Sequence, residues 1–342
     1  MAPLRIVSLL PSATELVYYV LCQLDEDDPA GAPHAQLVGR SHECDWPEAL
    51  VAGVPMLTAS QIKFTTSAEV DAQVRAQLST GVGLYSVRLE LLQSLLPDFI
   101  VTQSLCKVCS VDYCMVDELT AGMSPRPVLI DTNPMSVNDV LADIRRIATT
   151  LGFHDAGQRV VAKLQRRIDI ARAIVASKLL PGMRRRSIGF CEWTDPIFCG
   201  GHWTPQLIEM AGAVHPLNLT TGGVETGAHP SRSIPANEFV ASDPDIIVVA
   251  PCGLDMDATK RELAPLIYHD WWKQLRAVRQ GRVYLVNGNH MFNRPGPRLV
   301  DALEWLVAML WDVPSACAPD FPAEKWVPPT GYFESPKSKS AQ

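Results

Sequence analysis

Long apolar runs are missing from this chain of 342 residues. No stretch approaches the ~20 consecutive apolar residues a membrane span requires, which argues against membrane insertion. A basic excess is missing as well. Lysine and arginine number 30 against 37 acids, a formal net charge of −7, whereas a nucleic-acid partner calls for a basic face. The first residues lack the basic n-region and separate apolar h-region of a secretion signal, so the expected location is cytoplasmic. Also missing are a nucleophile elbow, a Walker-type loop and a Ser/His/Asp pattern. Gly200-Gly201 and Gly222-Gly223 do not belong to a GxGxxG string. Catalysis has no evident seat.

Present instead is enough apolar material, 47% of residues, for two cores on a prior of ~150 residues per domain. The string RIVSLLPSATE (residues 5–15) is a short apolar run stopped by proline and followed by helical spacing at Leu16, Val17, Val20, Leu21 and Leu24. Ser12 and Glu15 fit a capping box at that helix start. An echo follows. PDFIVTQ (97–103) leads to Cys106, and PDIIVVA (244–250) leads to Cys252. PVLIDTN (127–133) is matched by RVYLVNGN (282–289), and SIGFC (187–191) mirrors the first strand. Strands alternating with helical stretches predict parallel sheets with right-handed crossovers.

The expected fold is therefore α/β, two Rossmann-like lobes with parallel sheets joined by one long rigid helix, with a ligand cleft between them. The N-terminal lobe is assigned to residues 1–152 and the linker helix to 153–182. The C-terminal lobe takes 183–312, and 313–342 form a mostly disordered tail, Pro/Ser/Lys-rich from Pro328.

In parallel sheets ligands collect beyond the carboxyl ends of the strands. Those positions are rich in aromatics, imidazoles and thiols: His42, Cys44 and Trp46; Cys106, Cys109, Tyr113 and Cys114; Cys191, Trp193, Cys199, His202 and Trp203; His290 and Phe292. This bias points to a large, flat, partly apolar ligand fixed by a few polar groups. Cys106-x-x-Cys109 with Cys114 is a candidate metal or redox loop, although a closed zinc site needs four ligands and no second CxxC is present. With no export signal, the nine cysteines read as thiols rather than a disulfide framework.

The strings RIVSLLPSATE (5–15), VGRSHECDWP (38–47), TQSLCKVC (102–109), EWTDPIFCGGHWTP (192–205) and NRPGPR (293–298) resemble the cobalamin-binding branch of the helical-backbone, periplasmic-type substrate-binding proteins, over about residues 4–312. The resemblance implies two lobes on a long helix and a corrinoid gripped by aromatic side chains. Trp46 and Trp203 match aromatic ligand contacts, and Phe292 lies near another. Gln103 falls where exported members carry tryptophan. Glu90 and Glu209 match the glutamates with which such proteins dock on arginines of a membrane permease. Exported members carry a signal or lipid anchor and lack cysteine-rich loops of this kind, so the sequence departs from them there.

The leading expectation is a soluble, monomeric binding protein for cobalamin or a related corrinoid, with no catalysis and no cofactor beyond the ligand. Trp46, Trp193, Trp203, Phe292, Gln103, His42, His202 and His290 would form the site. Alternatives are a metal- or redox-dependent enzyme built on Cys106, Cys109 and Cys114, or haem or siderophore binding on the same fold.

Overall fold

The computed structural model describes residues 2–79, 83–104, 111 and 113–333. The N-terminal lobe runs β1 (Leu4–Ser8), α1 (Pro11–Asp27), β2 (Ala35–Arg40), α2 (Glu48–Val51), β3 (Thr58–Ser60), α3 (Ser67–Ser79), β4 (Tyr85–Val87), α4 (Leu89–Ser94), β5 (Phe99–Gln103), α5 (Tyr113–Thr120), β6 (Val128–Thr132) and α6 (Val137–Thr150). Helix α7 (His154–Lys178) then crosses to the second lobe. There follow β7 (Ile188–Thr194), β8 (Ile197–Cys199), α8 (Trp203–Met210), β9 (Arg232–Ser233), α9 (Ala236–Ser242), β10 (Ile246–Val249), α10 (Met256–Ile267), α11 (Asp270–Gln274), α12 (Arg276–Arg279), β11 (Val283–Val286), α13 (Leu299–Trp311) and β12 (Ala323–Lys325).

The echo in the sequence becomes an echo in topology. The first sheet has the order β2-β1-β5-β6, all parallel. In the second, β7, β10 and β11 are neighbours in the same sense as β1, β5 and β6, and are parallel too. The second sheet is not purely parallel, since β8, β9 and β12 join it antiparallel. Strand β12 corrects the expected tail. The backbone of Ala323–Lys325 completes the ladder of β11, and Trp326 and Tyr332 pack on the core of that lobe. Apolar side chains and an open sheet edge order a stretch whose composition suggests none.

Residues expected for the linker form α7, 25 residues and about 37 Å long at 1.5 Å per residue. Its apolar stripe, Val160, Val161, Leu164, Ile168, Ala171 and Val175, is buried against α1, α6 and α13. One continuous core runs through these helices from lobe to lobe. Arg167 ties α7 to α13 through Glu304 (Nε–Oε1 2.9 Å) and Asp301. No helix among the described residues is long and apolar enough to cross a membrane.

Candidate functional site

Three sets of contacts bring the lobes together beyond the carboxyl ends of their strands. The first is ionic and buried. Glu15, on α1, lies wholly inside the protein. Both of its oxygens accept from the Arg298 guanidinium, with Nε at 2.9 Å. Arg294 reaches Glu15 at 3.4 Å and Asp45, beyond β2, at 2.7 Å. Asp45 also takes the Asn289 amide at 2.7 Å and shares a hydrogen bond with His290 at 3.1 Å. Burial works against the Asp45 carboxylate, but His290 and Arg294 outweigh it and hold its pKa well below the usual range. The Arg298 guanidinium rests 4.3 Å from the ring centre of Trp46, which packs edge-on against Tyr18 at 5.4 Å.

Glu15 is therefore no capping residue. Leu10 occupies the N-cap position with Pro11 at the first helical position, and no side chain caps the helix. With the helix starting at Pro11, Ser12 is already inside it and cannot serve as the N-cap of a box with Glu15, which leaves Glu15 to pair with the opposite lobe.

The second set lies at the rim. Ser67, at the start of α3, donates its N–H to Glu262 on α10 at 2.8 Å. Its hydroxyl lies 2.9 Å from that of Thr194, and its carbonyl accepts from Trp193 Nε1 at 3.1 Å. The third set lies near the start of α6. Val137 N–H donates to Gln206 at 2.8 Å and the Asn138 amide to the Glu225 carbonyl at 3.1 Å. Gly227 belongs to this contact. A Cβ there would stand 2.0 Å from the Met135 carbonyl, so only glycine lets the two backbones approach.

Next in sequence to Asp45, and bonded to β3 and β4, stands a polar group from the first lobe. His42 shares a 2.7 Å hydrogen bond through Nδ1 with Thr58 on β3, leaving Nε2 3.9 Å from Glu43. Tyr85, on β4, donates to Glu43 at 3.2 Å, and its ring lies 5.7 Å from that of His42. Burial, helped by Arg40, lowers the His42 pKa, and burial raises that of Glu43. At neutral pH the imidazole is uncharged, with a lone pair available.

The remaining sequence candidates fall elsewhere. Trp203 is buried in the second lobe and donates its indole N–H to the Phe292 carbonyl at 2.5 Å. Phe292 is buried against Phe190 and Trp305, at 5.0 and 6.0 Å. The aromatic sandwich of Trp46, Trp203 and Phe292 is thus not assembled. Two of its members fill the core, Phe292 on a left-handed turn (φ 68°), and Trp46 serves the ionic contact. Trp193 and His290 join the interlobe contacts already described. Gln103 is buried at the end of β5. His202 is half-buried, stacked on Trp203 at 5.4 Å, with φ of 52°, and burial lowers its pKa.

Cys106 and Cys109 lie outside the described residues, and Cys114 is exposed on α5. Among the described residues no three His, Cys, Asp or Glu side chains gather to hold a metal ion. Cys191 and Cys199 are buried opposite each other on β7 and β8 as free thiols. Glu90 is exposed on α4. Glu209 is engaged within its own lobe, accepting from Arg185 at 3.3 Å and from Thr220.

Sequence reasoning missed Glu15, Asp45, Arg294, Ser67 and Glu262. Their partners lie up to 283 residues away, and no local pattern pairs them. A usable signal was the placement of Glu15, Asp45, Arg294 and Arg298 inside three of the quoted strings.

A family model for periplasmic binding proteins matches residues 23–289. No curated protein matches. Among solved structures, the periplasmic haem-binding protein BhuT in complex with two haems is similar at 18% identity and a TM-score of 0.64, covering 91% of this chain and 99% of that one. The periplasmic vitamin B12 binding protein BtuF of Vibrio cholerae gives 18% and 0.60, over 90% and 96%. A periplasmic haem-binding protein from Pseudomonas aeruginosa gives 19% and 0.62, over 91% and 94%. At such identities the likeness is one of fold.

Proposed function

The chain belongs to the periplasmic binding protein family, and on that premise we propose that it carries one metal-bearing tetrapyrrole between its lobes, either cobalamin or a related corrinoid, or haem. Binding and handover need no catalysis, and the alternative of a redox enzyme gives way to the family assignment.

His42 is the observation that carries this reading. Its ring stands beyond the carboxyl end of β2, oriented through Nδ1 by Thr58. Burial favours the neutral form, the form that donates a lone pair to a metal centre. Tyr85 and Glu43 beside it offer further oxygen donors. With Trp203 and Phe292 committed to the core, ligation of the metal is better supported than stacking on the macrocycle. The similar solved structures include binders of both chelates.

The test is a spectral titration of the purified protein, with aquocobalamin and with hemin separately, followed by competition between them. One chelate should shift its visible bands on binding. His42→Ala should remove that shift and weaken binding at least tenfold, a change of about 1.4 kcal/mol or more. A protein that alters the spectrum of neither chelate at high micromolar concentration would overturn the proposal.

A further inference from the structure

Strands β3 and β4 pair with each other alone, apart from the sheet of their lobe, and α3 lies between them in sequence. Together they make an arm. Its base is pinned where the Leu57 N–H donates to Arg40 and the Arg88 N–H to Leu57. Tyr85 and Val87 on β4 still pack on the core of the first lobe, but beyond the β3–β4 pair the arm has almost no core. Of the residues of α3 only Ser67 is buried, while Phe64 and Leu78 are exposed. Among the described residues no other element packs broadly on this helix.

What holds the tip is the opposite lobe. Ser67 contacts Glu262, Thr194 and Trp193 there, and Thr194 ends β7, at the carboxyl edge of the second sheet. The base meets the corresponding edge of the first sheet, where Thr58 on β3 bonds His42 and Tyr85 on β4 bonds Glu43. The arm thus starts at one lip of the interlobe space and fastens to the other. A segment with few buried apolar contacts belongs to the low-stability end of a fold, where lids are found.

We propose that this arm is a lid. Released from Ser67, it gives a ligand access. Fastened, it closes the mouth, while Thr58 and Tyr85 act as positioning residues for His42 and Glu43. The inference rests on a ligand lying between the lobes, as proposed above.

Two variants test it. In Thr194→Val/Glu262→Ala, amides of α3 should exchange with solvent at least tenfold faster than in the wild type, while those of α7 are unchanged. In S67C/T194C, oxidation should lock the tip. The association rate of hemin or aquocobalamin should then fall at least tenfold and recover on reduction, with wild type oxidised in parallel as the control for the native thiols. Equal rates in the locked and reduced forms would overturn the lid, as would α3 exchange that does not respond to loss of the clasp. A wild type that takes up neither chelate refutes the functional reading instead. Exchange alone then decides the lid: protected α3 in the locked form and open α3 in the clasp-less form support it, and equal exchange in both refutes it.

Discussion

The buried ionic latch and the rim clasp both join the lobes, yet they are built from opposite chemistry. At its centre the latch uses full charges out of contact with water, with Glu15 and Arg298 facing each other beside the core shared by α1, α7 and α13. Opening it would leave ions unpaired in a medium of low dielectric, a far larger cost than the pair itself returns on forming. The clasp gathers three hydrogen bonds around one serine, with Glu262 its only charged member. Ser67 and Thr194 are buried while the clasp is shut, but once the arm lifts water can replace each lost partner, so a bond contributes only ~0.5–1.5 kcal/mol net. The contrast separates a joint meant to stay shut from one able to open. Ligand exchange then calls for movement of the arm, with the lobes held at fixed spacing.

The sharpest way to break this picture is Glu15→Ala. It strands Arg298 in the interior and leaves Arg294 paired with Asp45 alone, and a loss of ~3–5 kcal/mol in urea unfolding is expected. Glu15→Ala/Arg298→Met should recover part of that loss, because the uncompensated charge is gone. A Glu15→Ala protein as stable as wild type would mean that water reaches the latch. Next in size, Arg298→Lys keeps the charge but loses the planar fork on Glu15 and the stacking on Trp46. A cost of ~1–2 kcal/mol is expected. Smaller still, Thr194→Val should change global stability by ~1 kcal/mol or less, even as it loosens α3. A larger effect would place the rim clasp in the same class as the latch.

Much of the scaffold was legible because its signals are local. The apolar runs of β1, β5, β7 and β10 and the stripe along α7 depend on periodicity within single elements, and the proline–aspartate strand starts marked the repeat. Strand β12 was hidden because its order comes from the edge of β11, a partner some 40 residues earlier. For the candidate residues, position along the strands was legible and role was not. His42, Trp46, Trp193 and His290 do lie where the strands end. A sequence does not show which way a ring turns, however, and Trp203 and Phe292 turned inward to each other. Glu15 looked like a cap because Ser12 lies three residues before it. Its real partners are brought near only by the packing of the two lobes.

The finest test of the comparison is the pH response of Asp45, the latch member nearest to solvent, with its side chain 41% exposed. Its folded pKa is depressed, so it contributes stability that is fully present above the unfolded carboxylate value of 3.8. That contribution is lost as pH falls below this value toward the folded one. Asp45→Asn removes the titration, so urea midpoints of wild type and variant should differ by a constant above pH 5 and converge as pH drops from 4 toward 2. Exposure screens the pairing, which limits the converging part to ~1 kcal/mol or less. Curves that stay parallel down to pH 2 would show that Asp45 gains nothing over solvent from Arg294 and His290. The latch would then reduce to Glu15 and its arginines, and Asp45 would belong with the exchangeable contacts of the rim.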